Sequence, residues 1–168
     1  MHIEPLSYAT LDEAINLINK VFPSQTLFER ATLAFPLSLR KNSTITKIIF
    51  RILEITEVRY WVAVDEDCKR VIGTTGLYGY LKDIHEAYWL AWTCVSPTVR
   101  GQGIGSKLVD FSIEKARAEG KQFLRLYTSN SPDEAVAQIL YQKRGFRLIG
   151  EDKIWGSKSK KLYFELKL

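Results

Sequence analysis

The feature that most constrains this chain is a run of alternating glycines, Gly101, Gly103 and Gly105, between a strand pattern and a helix pattern. The strand pattern ends at Val95, and an amphipathic helix pattern covers 103–119. Glycine lets the backbone approach a ligand without an intervening Cβ atom, and the first turn of a helix offers unpaired N–H groups. Together they predict a main-chain cradle for phosphate oxygens.

Hydrophobic periodicity on both sides of this run predicts one α/β domain over residues 1–168. The expected order is β-α-α-α-β-β-β-α-β-α-β-β, which indicates a single mixed, mostly antiparallel twisted sheet flanked by helices. We expect strands at 3–6, 58–64, 71–81, 86–95, 122–128, 146–154 and 161–166, and helices at 11–22, 26–35, 42–56, 103–119 and 132–141.

Two of these helices rest on particular residues. The second is expected to end before Pro36, because the α conformation is disfavoured for a residue that precedes proline. The third has an apolar stripe at helical spacing, with Lys47 and Arg51 off the stripe, although its β-branched residues also fit a strand. A basic amphipathic helix can lie on a membrane surface, but a helix packed on its own core is commoner and is expected here. The stripe consists of Ile45, Ile48, Ile49, Ile52 and Leu53.

Composition narrows the classes of function. The 24 Lys and Arg exceed the 19 Asp and Glu, and the net charge of +5 suggests an anionic ligand, although solvated surface residues explain it equally simply. No apolar run approaches the roughly 18 residues of a membrane span, and the first residues show no signal-peptide pattern. Two cysteines and two distant histidines predict neither a disulfide framework nor a zinc site. We expect a cytoplasmic protein with no metal and no nucleic-acid or membrane partner.

Two common phosphate-binding motifs are excluded by spacing. A Walker loop requires Gly-x-x-x-x-Gly-Lys-Ser/Thr, whereas Lys107 here follows Ser106. A dinucleotide fingerprint requires Gly-x-Gly-x-x-Gly within a βαβ unit, whereas these alternating glycines follow three strands that are expected to be antiparallel.

The run Arg100-Gly101-Gln102-Gly103-Ile104-Gly105 resembles the signature Arg/Gln-x-x-Gly-x-Gly/Ala of the GNAT superfamily, the acyl-CoA-dependent N-acetyltransferases. A Val-x-Pro strand exit precedes it. The later helix ends in Leu140-Tyr141-Gln142-Lys143-Arg144-Gly145-Phe146, which resembles the family's Leu-Tyr-x-x-x-Gly-Phe landmark. The resemblance covers about 60–164 and implies the GNAT fold, with variable acceptor-side helices at 1–57 and an acetyl-CoA-binding core at 58–168.

The resemblance implies transfer of an acetyl group from acetyl-CoA to a primary amine. Main-chain groups of Thr93, Cys94 and Val95, on the strand at 86–95, would bind the pantetheine arm as an added strand, and the glycine turn would hold the pyrophosphate. Tyr141 would hydrogen-bond the departing sulfur and protonate it as CoA leaves. The implied cofactor-binding residues are Thr93, Cys94, Val95, Arg100, Gly101, Gln102, Gly103, Ile104, Gly105, Ser106 and Asn130.

The general base is less clearly marked. An alkylamine has a pKa of about 10.4 and must lose a proton before it attacks. Many family members carry a glutamate on the strand after the long helix, which has none here, and an asparagine seven residues before the tyrosine, where this chain has Glu134. We expect Glu86 to be the base, with Asp83 and Tyr127 as alternatives, and Asn130 to replace the missing asparagine.

The acceptor is expected to be a small-molecule or peptide amine, beside a pocket lined by at most half of the aromatic set Tyr78, Tyr80, Trp89 and Trp92. Cys94 is not expected to be a nucleophile, because nothing positions His2 or His85 beside it. Direct transfer is therefore favoured. A CoA-binding sensor without catalysis is the alternative, and both a monomer and a homodimer are open.

Overall fold

The computed structural model describes residues 1–23, 31–154 and 159–168. Its strands are β1 (His2–Pro5), β2 (Ile55–Val64), β3 (Val71–Tyr80), β4 (Ala87–Val95), β5 (Phe123–Ser129), β6 (Arg147–Lys153) and β7 (Lys160–Lys167). Its helices are α1 (Leu11–Val21), α2 (Ala31–Leu39), α3 (Thr44–Ile52), α4 (Ile104–Ala118) and α5 (Ala135–Lys143). Short 3-10 turns at Pro97–Val99 and Pro132–Glu134 precede α4 and α5.

The strands form one sheet in the order β1-β2-β3-β4-β5-β7-β6. Neighbouring strands are antiparallel except β4 and β5, which run parallel. The β4–β5 ladder is short, since it joins Ala87, Tyr88 and Trp89 to 123–125 and then ends. Beyond that point the two strands separate. The predicted mixed, mostly antiparallel sheet and the predicted order of elements are confirmed.

Side chains alternate between the two faces of the sheet, as strand geometry requires. Helices α1 and α2 cover one face, where aromatic residues are common. Its core includes Leu17, Ile18, Phe35, Tyr60, Tyr78 and Trp89. Helices α4 and α5 cover the other face, where the core is mainly aliphatic and includes Val109, Ile113, Leu124, Leu126, Tyr141 and Phe164. No helix in the described ranges is long and apolar enough to cross a membrane.

The predicted end of the second helix is wrong. Residues 24–30 lie outside the described residues, and the described part of α2 continues through Pro36 to Leu39. Proline removes one helical hydrogen bond. However, Phe35 is fully buried and its ring centroid lies 4.3 Å from that of Tyr60, so tertiary packing holds this turn in the helix.

The third helix was expected to extend to residue 56 and to bury its isoleucine stripe, and both expectations are wrong. It ends at Ile52, and Glu54 adopts a left-handed φ of 54° that turns the chain into β2. Helix α3 packs toward β2 through the buried Thr46 and the half-buried Phe50. Ile45 and Ile48 lie on the outer side and are exposed.

Candidate active site

The glycine run forms the turn into α4. Gly101 and Gly103 have φ values of 80° and 75°, a conformation that side chains with a Cβ rarely adopt. A Cβ added at either position would meet no described atom within 4 Å. The glycines therefore serve backbone conformation and leave the surface above the turn open. Gly103 is the N-cap residue of α4, so the unpaired N–H groups and positive dipole of the first helical turn follow directly.

The edge of β4 leads into this turn. On one side β4 pairs with β3, where Cys94 lies opposite Thr74 and Val95 opposite Gly73, with a bulge near Thr93. On the other side its pairing with β5 has already ended at Trp89. The backbone of 90–95 therefore faces a cleft without a partner strand among the described residues. An open edge of this kind can accept an extended ligand as an added strand.

Cys94 lies on this edge but is buried, with its Sγ 3.5 Å from the Thr74 hydroxyl. Burial raises the pKa of the Cys94 thiol to about 11, although the Thr74 hydrogen bond and the Arg100 charge oppose the shift. A thiol with this pKa is protonated at neutral pH, so Cys94 has little nucleophilic character.

Tyr141 lies on α5, buried in the face that α4 and α5 cover, with its ring centroid 5.7 Å from that of Phe146. Burial raises the pKa of Tyr141 well above its ordinary value, and Glu134 and Cys94 raise it further. The raised pKa keeps Tyr141 in its proton-donating form.

Glu134, which stands where many family members have an asparagine, and Asn130, which was expected to replace it, both form hydrogen bonds within the protein. The Glu134 carboxylate accepts hydrogen bonds from the Thr128 hydroxyl and, at 2.9 Å each, from the Ser129 N–H and hydroxyl. The Asn130 Oδ1 accepts the Lys160 N–H at 2.7 Å. Glu134 thus caps the end of β5, and the Asn130 carbonyl oxygen anchors the start of β7.

Arg125 collects three carboxylates on the face that α1 and α2 cover. It donates from Nη1 to Asp83, from Nη2 to Glu86 and from Nε to Glu165, each at 2.8 Å. Burial lowers the pKa of Arg125, but the bonds to Glu165, Glu86 and Asp83 outweigh it and raise the pKa above its ordinary value. Three carboxylates face one guanidinium, so the cluster carries two excess negative charges. We call these four residues the Arg125 cluster.

The Arg125 cluster lies where the sheet opens, because Arg125 pairs with Trp89, the last β4 residue in the β4–β5 ladder. The Trp89 indole N–H donates to Asp83 Oδ2 at 2.9 Å. The other oxygen of this buried carboxylate, Oδ1, has no hydrogen-bond partner among the described residues. The sequence predicted Asp83 and Glu86 as candidate bases, but it did not predict a role for Arg125. A lone arginine within an alternating apolar strand was the available signal.

Aromatic rings continue this face above the cluster. The Tyr78, Tyr80 and Trp89 centroids lie 5.1–6.3 Å apart, and Trp92 packs against Phe22 at 5.2 Å. The Lys82 ammonium lies 5.4 Å from the Tyr80 centroid and 6.0 Å from that of Trp89. These ring faces therefore already hold one primary ammonium group, as cation–π attraction favours.

Two other surface features lie apart from the glycine turn. Grooves of about 420 and 360 Å³ border β2, and Lys41, Val58 and Arg59 line both. In the described part of the chain, no group of His, Cys, Asp and Glu side chains could hold a metal ion.

The sheet opens between its two parallel strands, and the glycine turn lies at this opening. The acetyltransferase (GNAT) domain matches residues 56–148, which is more than half of the chain. The chain belongs to the GNAT acetyltransferase family. It is also 33% identical over 72 residues to GCN5-related N-acetyltransferase 6, chloroplastic, of Arabidopsis thaliana, a match that covers 43% of this chain and 21% of that protein.

Solved structures share the fold over nearly the whole chain. The ribosomal-protein-alanine N-acetyltransferase of Brucella melitensis is 20% identical, with a TM-score of 0.70 and 100% of both chains covered. A GNAT family acetyltransferase of Elizabethkingia anophelis with acetyl-CoA bound is 22% identical, with a TM-score of 0.67 and 99% and 97% covered. The TM-scores show the same fold. The match of the acetyltransferase (GNAT) domain confirms the predicted family resemblance.

Proposed function

We propose that this protein transfers an acetyl group from acetyl-CoA to a monocationic primary amine by direct attack. One observation carries the proposal: the open edge of β4 runs directly into the Gly101–Gly103 turn at the start of α4. A strand-like ligand with a diphosphate at one end and a sulfur at the other matches this arrangement.

The donor binds through the main chain. Backbone groups of Thr93, Cys94 and Val95 pair with the pantetheine arm, since β5 has diverged there. The amides from Arg100 to Ser106 hold the pyrophosphate at the positive end of α4. The open space above Gly101 and Gly103 gives the phosphates room to approach the backbone.

The acceptor binds on the other face, at the Arg125 cluster. Its two excess negative charges attract one ammonium group, and the Tyr80 and Trp89 rings favour the same charge. Basic residues at positions 40, 41, 47 and 51 disfavour polycationic acceptors by repulsion. In this proposal the variable helices at 1–57 lie beside the acceptor, and 58–168 form the donor-binding core.

Glu86 is the base in this proposal. Its side chain is 45% exposed, compared with 7% for Asp83 and 24% for Glu165, so it is the carboxylate that water and substrate reach most easily. Asp83 is instead held by Arg125 and by the Trp89 indole. The side-chain carbonyl oxygen of Asn130 accepts the Lys160 N–H. In this proposal Asn130 therefore contacts the donor through its side-chain NH2 group.

In the proposed reaction the acetyl group passes directly from the sulfur of CoA to the nitrogen of the amine. The ammonium loses a proton through water to Glu86, and the neutral nitrogen attacks the thioester carbon. As the C–N bond forms, the attached nitrogen loses its second proton to water. The C–S bond then breaks, and Tyr141 protonates the departing thiolate. Tyr141 recovers a proton from solvent, and Glu86 releases its own proton to solvent. The free thiols of Cys68 and Cys94 support a reducing, cytoplasmic setting.

The test measures CoA thiol release from acetyl-CoA with monoamines, diamines, polyamines, amino acids and peptides, with donor binding measured separately by calorimetry. We expect saturable release with a monoamine and weaker release with polyamines. Donor binding with no turnover on any amine would favour the sensor, and absence of donor binding would refute both functions.

A further inference from the structure

Helix α3 presents an apolar stripe to solvent. Ile45, Ile48 and Ile52 are exposed by 68%, 54% and 73%, and their spacing places them on one side of the helix. The opposite side packs on β2 through Thr46 and Phe50. Single exposed apolar residues are ordinary, but an aligned row of three isoleucines usually marks a surface that becomes covered.

The charges beside this stripe are mainly positive. Residues 31–53 contain four basic residues and no Asp or Glu, and the exposed Glu54 follows the last turn. Three of them, Lys41, Lys47 and Arg51, line the groove of about 420 Å³ between α3 and the start of β2. Glu57 also lines this groove, but it accepts the Tyr88 hydroxyl and lies 3.4 Å from the Arg59 guanidinium. The flank of the stripe therefore attracts anions.

The form of the stripe favours a lipid surface over a protein partner. Nine residues of helix are roughly 14 Å long, which is small beside the roughly 800 Å² that each partner of a stable protein pair contributes. The stripe contains no aromatic residue, whereas energetically dominant protein contacts are rich in Trp and Tyr. A second copy placed symmetrically on α3 would bring four basic residues against four.

We propose that α3 is a docking helix for membranes that carry anionic lipids. The three isoleucines enter the boundary between headgroups and acyl chains, and Lys41, Lys47 and Arg51 contact the anionic headgroups. The sequence favoured a helix packed on its own core over a helix on a membrane surface. The exposed stripe does not pack on the core, which favours the membrane surface. This inference does not rest on the acetyltransfer reaction, although Lys41, Lys47 and Arg51 are also the residues proposed to disfavour polycationic acceptors.

The test uses the full chain and sedimentation with phosphatidylcholine vesicles, with or without phosphatidylserine. We expect binding to the anionic vesicles that exceeds binding to the neutral ones by at least about tenfold and that salt weakens. Ile48→Glu should weaken it by about tenfold, because a carboxylate would enter the interface. Leu148→Glu on β6 is the matched control, since Leu148 is also 54% exposed, and should bind like the unchanged protein.

A second variant tests the charges. Lys47→Glu combined with Arg51→Glu should remove most of the preference for phosphatidylserine, while circular dichroism confirms that both sets of variants fold. Failure to bind anionic vesicles would overturn the proposal, as would equal losses in Ile48→Glu and Leu148→Glu. Self-association that Ile48→Glu abolishes, without vesicle binding, would assign the stripe to a second copy of the chain instead.

Discussion

The two faces of the sheet recognise ligands with different parts of the chain. On the α4–α5 face, the candidate donor site consists of main-chain groups, and the side chains around it are mostly aliphatic. On the α1–α2 face, the candidate acceptor site consists of charged and aromatic side chains around Arg125. Strand β5 contributes side chains to both faces, since Leu124 and Leu126 point to one face while Arg125 points to the other. A backbone site can stay constant while side chains change the acceptor.

An arginine on each face of the sheet pairs with carboxylate groups. Arg59 makes two bonds of 2.8 Å to Glu119 on the α4 side, and the Arg59 hydrogen bond lowers the pKa of Glu119. Arg125 instead binds three separate carboxylates at the point where the strands part. We expect the first pair to stabilise the fold and the second group to act on substrate.

Gly103→Glu should have the largest effect. The new side chain disfavours the φ of 75° and places a negative charge in the proposed pyrophosphate cradle, so acetyl-CoA affinity should fall at least about 100-fold. Calorimetry measures this loss. Gly120→Glu is a matched control, because Gly120 has a φ of 73° and equally open surroundings at the other end of α4. If both variants bind the donor with equal affinity, the glycine turn does not hold the pyrophosphate.

Tyr141→Phe should lower kcat by about 100-fold and leave donor affinity unchanged, because it removes the proton donor but keeps the ring. Since burial raises the pKa of Tyr141, its proton remains bound as pH rises, and kcat should show no decline from this group below about pH 10. Tyr88→Phe removes a structural hydroxyl from the same face and should keep kcat. An unchanged kcat in Tyr141→Phe would indicate the sensor function.

Glu86→Gln should lower kcat/KM for amines by about tenfold at neutral pH. The deficit should shrink as pH rises, because the amine then loses its proton without a base. Steady-state rates over a pH series measure both effects. Glu119→Gln, on the opposite face, should keep kcat/KM and lose stability. That loss is present above the ordinary glutamate pKa and disappears in acid, because Arg59 lowers the pKa of Glu119 in the folded state.

Lys82→Met should have the smallest effect. It removes the ammonium that lies over the Tyr80 and Trp89 rings, so an acceptor cation no longer competes with it, and the KM for a monoamine should fall about threefold. Lys82→Arg keeps the cation and should retain the original KM. If KM is the same in all three proteins, these rings do not form the acceptor site.

The donor-side features could be predicted because they are local. The glycine spacing and the strand and helix periods on either side are contiguous, so the turn into α4 and the order of elements followed from the sequence. The roles of Tyr141, Glu86 and the cofactor-binding residues stay predictions.

The acceptor-side cluster is not local. Asp83 and Glu86 meet Arg125 and Glu165 only through strand register, which a single sequence does not specify. The errors at Pro36 and in α3 have the same origin. Burial of Phe35 outweighs the local cost of proline, and the side of α3 that packs depends on where β2 lies.

The β4–β5 ladder joins the four-stranded and three-stranded parts of the sheet through only three residue pairs. A ligand bound between β4 and β5 would therefore connect these two parts of the sheet. Those amide hydrogens of 90–95 that point toward the cleft, and not toward β3, should exchange quickly in the free protein and more slowly once a ligand occupies the cleft. Donor binding would then reduce the mobility of the sheet that carries the acceptor site. The affinity for one substrate would therefore depend on whether the other is bound.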